Sequence, residues 1–395
     1  MNMARLTPEG SSDVLTPLAD REYRVAGQLR NLFQAYGYEE VRTPGIEYYD
    51  VFTAGKRYFS QESMVKSIDR HGRLTVIRPD ATVPIARLVA TKLSGRALPL
   101  RLFYDEMIYR NSSTLQGFSN EMHQCGVELL GSDGYKTDAE MIALSWSALR
   151  AIGLNRYRLE LGHVGVVDAL LNALGAEDET AAQIRASLEG KNFSRLRDIL
   201  APYGDEPVVR AFLALPRLFG DHRVLEKARE VVAPVAPEVA QVLDELERRY
   251  ELARALCRDE HIMLDLSLAN QADYYSGLVF RGYIDGSGEA VLSGGRYDGL
   301  LKNFNYPVPA IGFGVRIDLI AQVLNRRRPP EREPFYLLFA AREDLSEALI
   351  WRSQRQERLV LAISDRREDV AAEAERLGAK GVMVFENGDV HWQEV

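Results

Sequence analysis

Residues 101–131 (RLFYDEMIYRNSSTLQGFSNEMHQCGVELLG) hold two runs in which apolar and polar positions alternate, separated by a polar loop. That is the pattern of a long antiparallel hairpin. Upstream, residues 18–36 carry apolar side chains at helical spacing and stop at Gly37, a residue suited to the position just past a helix. A strand is predicted over 38–42, broken by Pro44, followed by short segments over 62–78 with a turn at His71-Gly72. Residues 82–93 read as a helix with Pro84 in its first turn, where its missing N–H costs nothing. A helix over 137–152 and a strand over 156–162 follow the hairpin.

From about 165 to 260 the alternation gives way to helical periodicity alone (VVDALLNAL, TAAQIRASL, FSRLRDIL, VVRAFLAL, EVAQVLDELERRYELARAL), which predicts an all-helical insertion. Strands return over 262–268, 274–284 and 288–295. A helix is predicted over 296–303, a strand over 309–316 and a helix over 317–325. The charged, proline-bearing RRRPPERE at 326–333 reads as a linker. Residues 334–395 then alternate strand and helix patterns, a small α/β unit. The expected architecture is α+β, with one large domain over 1–325 and a small one over 334–395.

Composition narrows the function classes. No apolar run approaches the length of a membrane span, and MNMARLTPEGSSD has no apolar core of the secretory type. Cys125 and Cys257 have no metal-site spacing and are too few for a disulfide framework, so a cytoplasmic setting is expected. Net charge is −8, and residues 331–395 hold nine Lys or Arg against fourteen Asp or Glu. Phosphate contacts dominate nucleic-acid affinity, so that acidic tail is a poor candidate for binding nucleic acid.

Several ordered motifs resemble histidyl-tRNA synthetase, a class II aminoacyl-tRNA synthetase, across roughly residues 5–325. YGYEEVRTP at 36–44 is similar to its dimer-forming first motif, and RPDAT at 78–82 to its Arg-Pro-Glu-Gly-Thr signature. YRNSSTLQGFSNEMHQCGVE at 109–128 falls on the second motif. ADYYSGLVF at 272–280 and SGGRYDGLL at 293–301 match the histidine-specific and glycine-rich strands, and PAIGFGVRIDLI at 309–320 the third motif. The resemblance implies an antiparallel sheet flanked by helices.

An amino acid needs an acceptor for its ammonium and a shaped pocket for its side chain. Asp80 and Thr82, together after a strand, can supply acceptors. Met122, Gln124, Gly126 and Glu128 alternate onto one face of the second hairpin strand, which sets Gln124 and Glu128 side by side across a glycine. Glu128 can accept from an imidazole N–H. Tyr274 and Tyr275 offer an aromatic wall and a phenolic donor. The resemblance implies that Asp80, Thr82 and Gln124 face the ammonium of a bound histidine, and Glu128 and Tyr275 its imidazole. Arg110 matches the second-motif arginine. Asp80 is one methylene shorter than the family's Glu.

The same resemblance points to losses. Adenylate formation needs cations against ATP phosphates. The positions of the second-motif Glu, the basic loop, the histidine-specific Arg and the third-motif Arg are taken by Ser112, by Phe118 and Asn120, by Asn270 and by Leu319. A synthetase frame with a histidine pocket, an altered ATP site and a short tail resembles the regulatory subunits of ATP phosphoribosyltransferase, paralogues of histidyl-tRNA synthetase. That resemblance implies a homodimer within a hetero-oligomer with a short-form catalytic subunit, L-histidine as ligand, no cofactor and no chemistry of its own. An active truncated histidyl-tRNA synthetase, or a synthetase-like amino-acid ligase, remains the alternative.

Overall fold

The computed structural model describes residues 3–53, 59–111, 119–154, 156–257, 261–269, 274–327 and 334–394. The chain divides into two compact units, Met1–Arg328 and Pro329–Val395.

The first unit opens with α1 (Leu18–Ala35), whose apolar face buries Val25, Ala26, Leu29 and Phe33. Gly37 follows it at φ +81°, a left-handed conformation that favours glycine. Then come β1 (Glu39–Glu40), β2 (Ile46–Tyr48), α2 (Tyr49–Thr53), β3 (Val65–Ile68), β4 (Leu74–Ile77) and α3 (Thr82–Lys92). The hairpin is β5 (Leu100–Tyr109) and β6 (Glu121–Leu130), paired from Leu100 opposite Leu130 to Tyr109 opposite Glu121. Next are α4 (Tyr135–Ala151) and β7 (Tyr157–His163). The insertion runs through α5 (Val164–Leu174), α6 (Asp178–Glu189), α7 (Phe193–Leu200), α8 (Pro207–Ala214), β8 (Phe219–Gly220), α9 (Arg223–Val231) and α10 (Val239–Cys257). The unit closes with β9 (Ile262–Asp265), β10 (Leu278–Ile284), β11 (Leu292–Arg296), β12 (Ala310–Arg316) and α11 (Ile317–Arg327).

Among the described residues, nine strands form one sheet in the order β1-β5-β6-β12-β11-β10-β7-β9-β8. Pairing is antiparallel except β1 with β5 and β7 with β9. β2, β4 and β3 make a separate three-stranded sheet. The main core packs α1, α4 and α11 on the large sheet around Phe33, Phe103, Leu144, Phe280 and Phe313 and continues into the insertion helices. A second core gathers Phe52, Met64, Val76, Val83, Ile85, Tyr104 and Tyr297 on the other side of the hairpin.

Three expectations need correction. The insertion is not all-helical, because Phe219–Gly220 pairs with β9 at the sheet edge. The helix expected over 296–303 is a 3-10 turn over Leu300–Phe304. Arg296 stays in β11 opposite Ile311, and the Tyr297 N–H donates to Ala310 at 2.7 Å, so the ladder wins over helix there. The strand expected from 274 begins only at Leu278, which leaves Tyr274 and Tyr275 ahead of the ladder.

The second unit holds β13 (Tyr336–Ala340), α12 (Leu345–Ser353), β14 (Leu359–Leu361), α13 (Arg367–Leu377), β15 (Gly381–Glu386) and β16 (Asp389–Glu394). Its sheet order is β14-β13-β15-β16. Val370 and Ala374 of α13 pack with Leu337 and Val382, while Ala348 of α12 packs with Leu338 and Phe385, so the helices cover opposite faces. Residues 328–333 of the expected linker lie outside the described residues. No described helix is long and apolar enough to cross a membrane.

Candidate ligand-binding site

The site is built on a sheet floor made unusually close by glycine. Gly126 lies opposite Tyr104 on β5 and Gly314 on β12, and Glu128 opposite Gly312. A Cβ on Gly312 would stand 1.8 Å from Glu128 Oε2, and one on Gly314 2.3 Å from Gln124 Nε2. Only glycine leaves room for these two side chains to lie across the neighbouring strand. The alternation that sets Gln124 and Glu128 on one face is therefore matched by glycines at every second position of IGFG.

Glu128 is 1% exposed. Its Oε1 accepts from Thr82 Oγ1 at 2.7 Å and its Oε2 from the Tyr297 hydroxyl. Burial pushes this carboxyl up to about 8, against the pull of both hydroxyls, and the Asp80 carboxylate pushes the same way. Asp80 is also buried and raised by desolvation, while Arg110, the Val83 N–H and the Tyr274 hydroxyl pull it back. Val83 N donates to Asp80 Oδ1 at 2.9 Å and Tyr274 to Oδ2 at 3.3 Å, with Arg110 Nη2 at 3.8 Å. Arg110 is steered by the Pro79 carbonyl at 2.7 Å and lies over the Phe59 ring.

Tyr274 meets Tyr275 and Tyr297 edge-on, at centroid distances of 5.0 and 5.8 Å. Tyr104 donates to Gln124 Oε1 at 3.1 Å. All seven residues expected from the sequence, Asp80, Thr82, Arg110, Gln124, Glu128, Tyr274 and Tyr275, are thus gathered on or beside this floor. Two partners were missed. Tyr297 donates to Glu128, and Tyr104 holds Gln124. The signal for Tyr297 was available in SGGRYDGLL, where it directly follows the glycine-bearing strand that ends at Arg296. Arg78 of RPDAT is structural: it donates to the carbonyls of Met107 and Thr43, both at 2.8 Å, and pairs with buried Glu106 at 2.8 Å.

Two buried carboxyls beside one arginine and four tyrosines make a small site that favours a ligand with several N–H donors and a flat ring. No cluster among the described residues could hold a metal. An open cleft lined by Tyr48, Tyr49, Asp50, Arg73 and Leu74 lies on the three-stranded sheet and includes none of these residues.

Of the positions that the resemblance sets against the ATP site, Ser112, Phe118 and Asn270 lie outside the described residues. Asn120 binds the N-terminal segment, its N–H donating to Gly10 at 2.7 Å. Leu319 packs half-buried against the main core. Nearby Arg316 is held by Asp318 at 2.9 and 2.6 Å, and Arg296 by Asp138 and Asp298.

The mostly antiparallel sheet, the hairpin arginine and the carboxylate-tyrosine site together define a class II aminoacyl-tRNA synthetase-like protein. Residues 10–320 match the family model described as histidyl-tRNA synthetase. ATP phosphoribosyltransferase regulatory subunits of Clostridium acetobutylicum and Moorella thermoacetica are 36% and 38% identical, over 82% and 88% of this chain and 80% and 89% of theirs. A solved Bacillus halodurans structure described as an ATP phosphoribosyltransferase regulatory subunit/histidyl-tRNA synthetase superposes with TM-score 0.81 at 33% identity, covering 96% of this chain and 98% of that one. A Nostoc histidyl-tRNA synthetase, at TM-score 0.76 and 19% identity over 96% of this chain and 91% of its own, shares the fold. The chain belongs to the ATP phosphoribosyltransferase regulatory subunit family, paralogues of histidyl-tRNA synthetase.

Proposed function

We propose that this chain is the non-catalytic regulatory subunit of an ATP phosphoribosyltransferase, acting in the first step of histidine biosynthesis. It activates a short-form catalytic subunit and carries feedback inhibition by L-histidine. The histidine sits on the glycine floor, with its ammonium toward Asp80, Thr82 and Gln124 and its imidazole toward Glu128, Tyr275 and Tyr297. Arg110 and Tyr274 hold Asp80 in place. The chain works as a homodimer within a cytoplasmic hetero-oligomer and needs no cofactor and no tRNA. Residues 1–325 and 334–395 form its two domains, joined by the linker 326–333.

The observation that carries this reading is Glu128, a buried carboxyl aimed over Gly312 with Asp80 close by. Thr82 and the Tyr297 hydroxyl hold its two oxygens over the floor, where the carboxyl can accept from a ligand N–H. Adenylation is disfavoured because Leu319 offers no cation, and Arg316 and Arg296 are already paired with carboxylates. A neutral side chain there forgoes roughly 2–4 kcal/mol of transition-state stabilisation per lost contact.

Co-purification with a short-form catalytic subunit tests the role. The mixture should condense ATP with phosphoribosyl pyrophosphate faster than the catalytic subunit alone, and histidine should suppress the gain. No co-purification and no activation would refute the reading.

A further inference from the structure

The pocket wall stands on the root of the helical insertion. Tyr275 packs against the apolar cluster of Val164, Leu268 and Val279. Val164 is the first residue of α5, where the chain enters the insertion, and Leu268 lies just beyond β9, by which it has returned. The Val164 N–H donates to the Gly277 carbonyl at 3.1 Å, two residues from Tyr275. A Cβ on Gly295 would lie 3.0 Å from the Tyr275 ring, so the ring is also pressed onto the floor strand β11. The ring that walls the pocket therefore rests on both the floor and the insertion root.

The insertion is tied to the same sheet face at a second point. Arg281 stands two residues past Val279 on β10, on the same face. It is paired with Glu189 at the end of α6, both side chains mostly buried at 17% and 13% exposure. The Arg281 guanidinium also donates to the Ala269 carbonyl at 3.4 Å, next to Leu268. Arg281 thus joins the far end of α6 to the return segment on which Tyr275 rests. A third tie holds the other flank: Asp138, fully buried on α4, bridges Arg296 of β11 and Arg249 of α10. Arg296 is the residue before Tyr297, the donor to Glu128, and its carbonyl accepts from Ser276 N at 2.7 Å.

We propose that the helical insertion, residues 164–257, is the element that reports whether the pocket is filled, with Tyr275 as the contact at its root and the Arg281–Glu189 pair as the latch that keeps α6 down. The proposal rests on the pocket binding histidine. A ligand packed against the free side of Tyr275 fixes that ring on Val164 and Leu268 and so favours the docked insertion over a loosened one. A ligand shifts such an equilibrium only by its preference for one state, and that preference acts reciprocally. Weakening the latch must then weaken histidine binding, although Glu189 lies outside the pocket.

Hydrogen exchange on the full chain, with and without saturating L-histidine, tests this beside calorimetric titration. Histidine should slow exchange in α5 and α6. Glu189→Gln should abolish most of that protection and weaken histidine binding about fivefold, the low end of ordinary coupling. Arg281→Lys keeps the charge and should retain part of both effects, which guards against a Glu189→Gln chain that fails to fold. Measurable binding with unchanged exchange in α5 and α6 of the natural chain overturns the coupling while leaving the pocket reading intact. Faster exchange overturns the docked-state preference. No binding heat at all refutes the pocket reading and the coupling with it.

Discussion

Glu128 has both oxygens engaged by hydroxyl donors, yet burial holds its carboxyl up at about 8. Between the ordinary value of 4.5 and about 8 the folded chain keeps a proton here that the unfolded chain has lost. Folding then binds the extra proton, so this residue makes stability fall as pH rises across that window. Urea unfolding at about pH 5.5 and about pH 7.5 should show that fall, and Glu128→Gln should flatten it. An equal slope in both chains would remove Glu128 as its source. The same variant should weaken histidine binding about tenfold to a hundredfold, the worth of ~1.5–3 kcal/mol for a hydrogen bond to a charged group. Tyr275→Phe should act in the same direction but less. Unchanged histidine inhibition in Glu128→Gln would move the regulatory site elsewhere. Activation of the catalytic partner should survive in both variants.

At the scale of elements, the site depends on strands β6, β12 and β11 approaching without side chains between them. Gly312→Ala should be worse than its one added methyl suggests, because the Cβ meets Glu128 Oε2 at 1.8 Å and the Val127 carbonyl at 2.4 Å. Overpacking of this kind typically costs about 1–3 kcal/mol. Urea midpoints should drop accordingly, and histidine titration should show no binding; a variant that binds normally would mean the floor is not the site. The hairpin was legible from period-two alternation, as was α1 from its buried Val25, Leu29 and Phe33. β8 was not, since two residues cannot establish a period. Tyr274 and Tyr275 read as strand because aromatic residues favour strands, but here they precede the ladder and wall the site.

For the whole molecule, the uncharged residues that the resemblance sets against the ATP phosphates predict no histidine-dependent ATP–pyrophosphate exchange above background. Robust exchange would instead favour the truncated synthetase or ligase alternative. The resemblance of α1 and YGYEEVRTP to a dimer-forming motif predicts a homodimer by light scattering at micromolar concentration, and a larger assembly once the catalytic subunit is added. A monomer under those conditions would contradict the assembly.

By itself the sequence determined the α+β class, the hairpin, the placing of the helical insertion and the face shared by Gln124 and Glu128. These follow from local periodicity and from ordered motifs, which need no knowledge of distant contacts. Only the tertiary structure decided that Tyr297 and Thr82 both serve Glu128, that Tyr104 holds Gln124, and that Arg296 and Arg316 are spent on carboxylates. Those pairs are 20 to 169 residues apart where they are not neighbours. Their meeting is set by strand register and by which glycines let two strands close, and no short window of sequence contains that information.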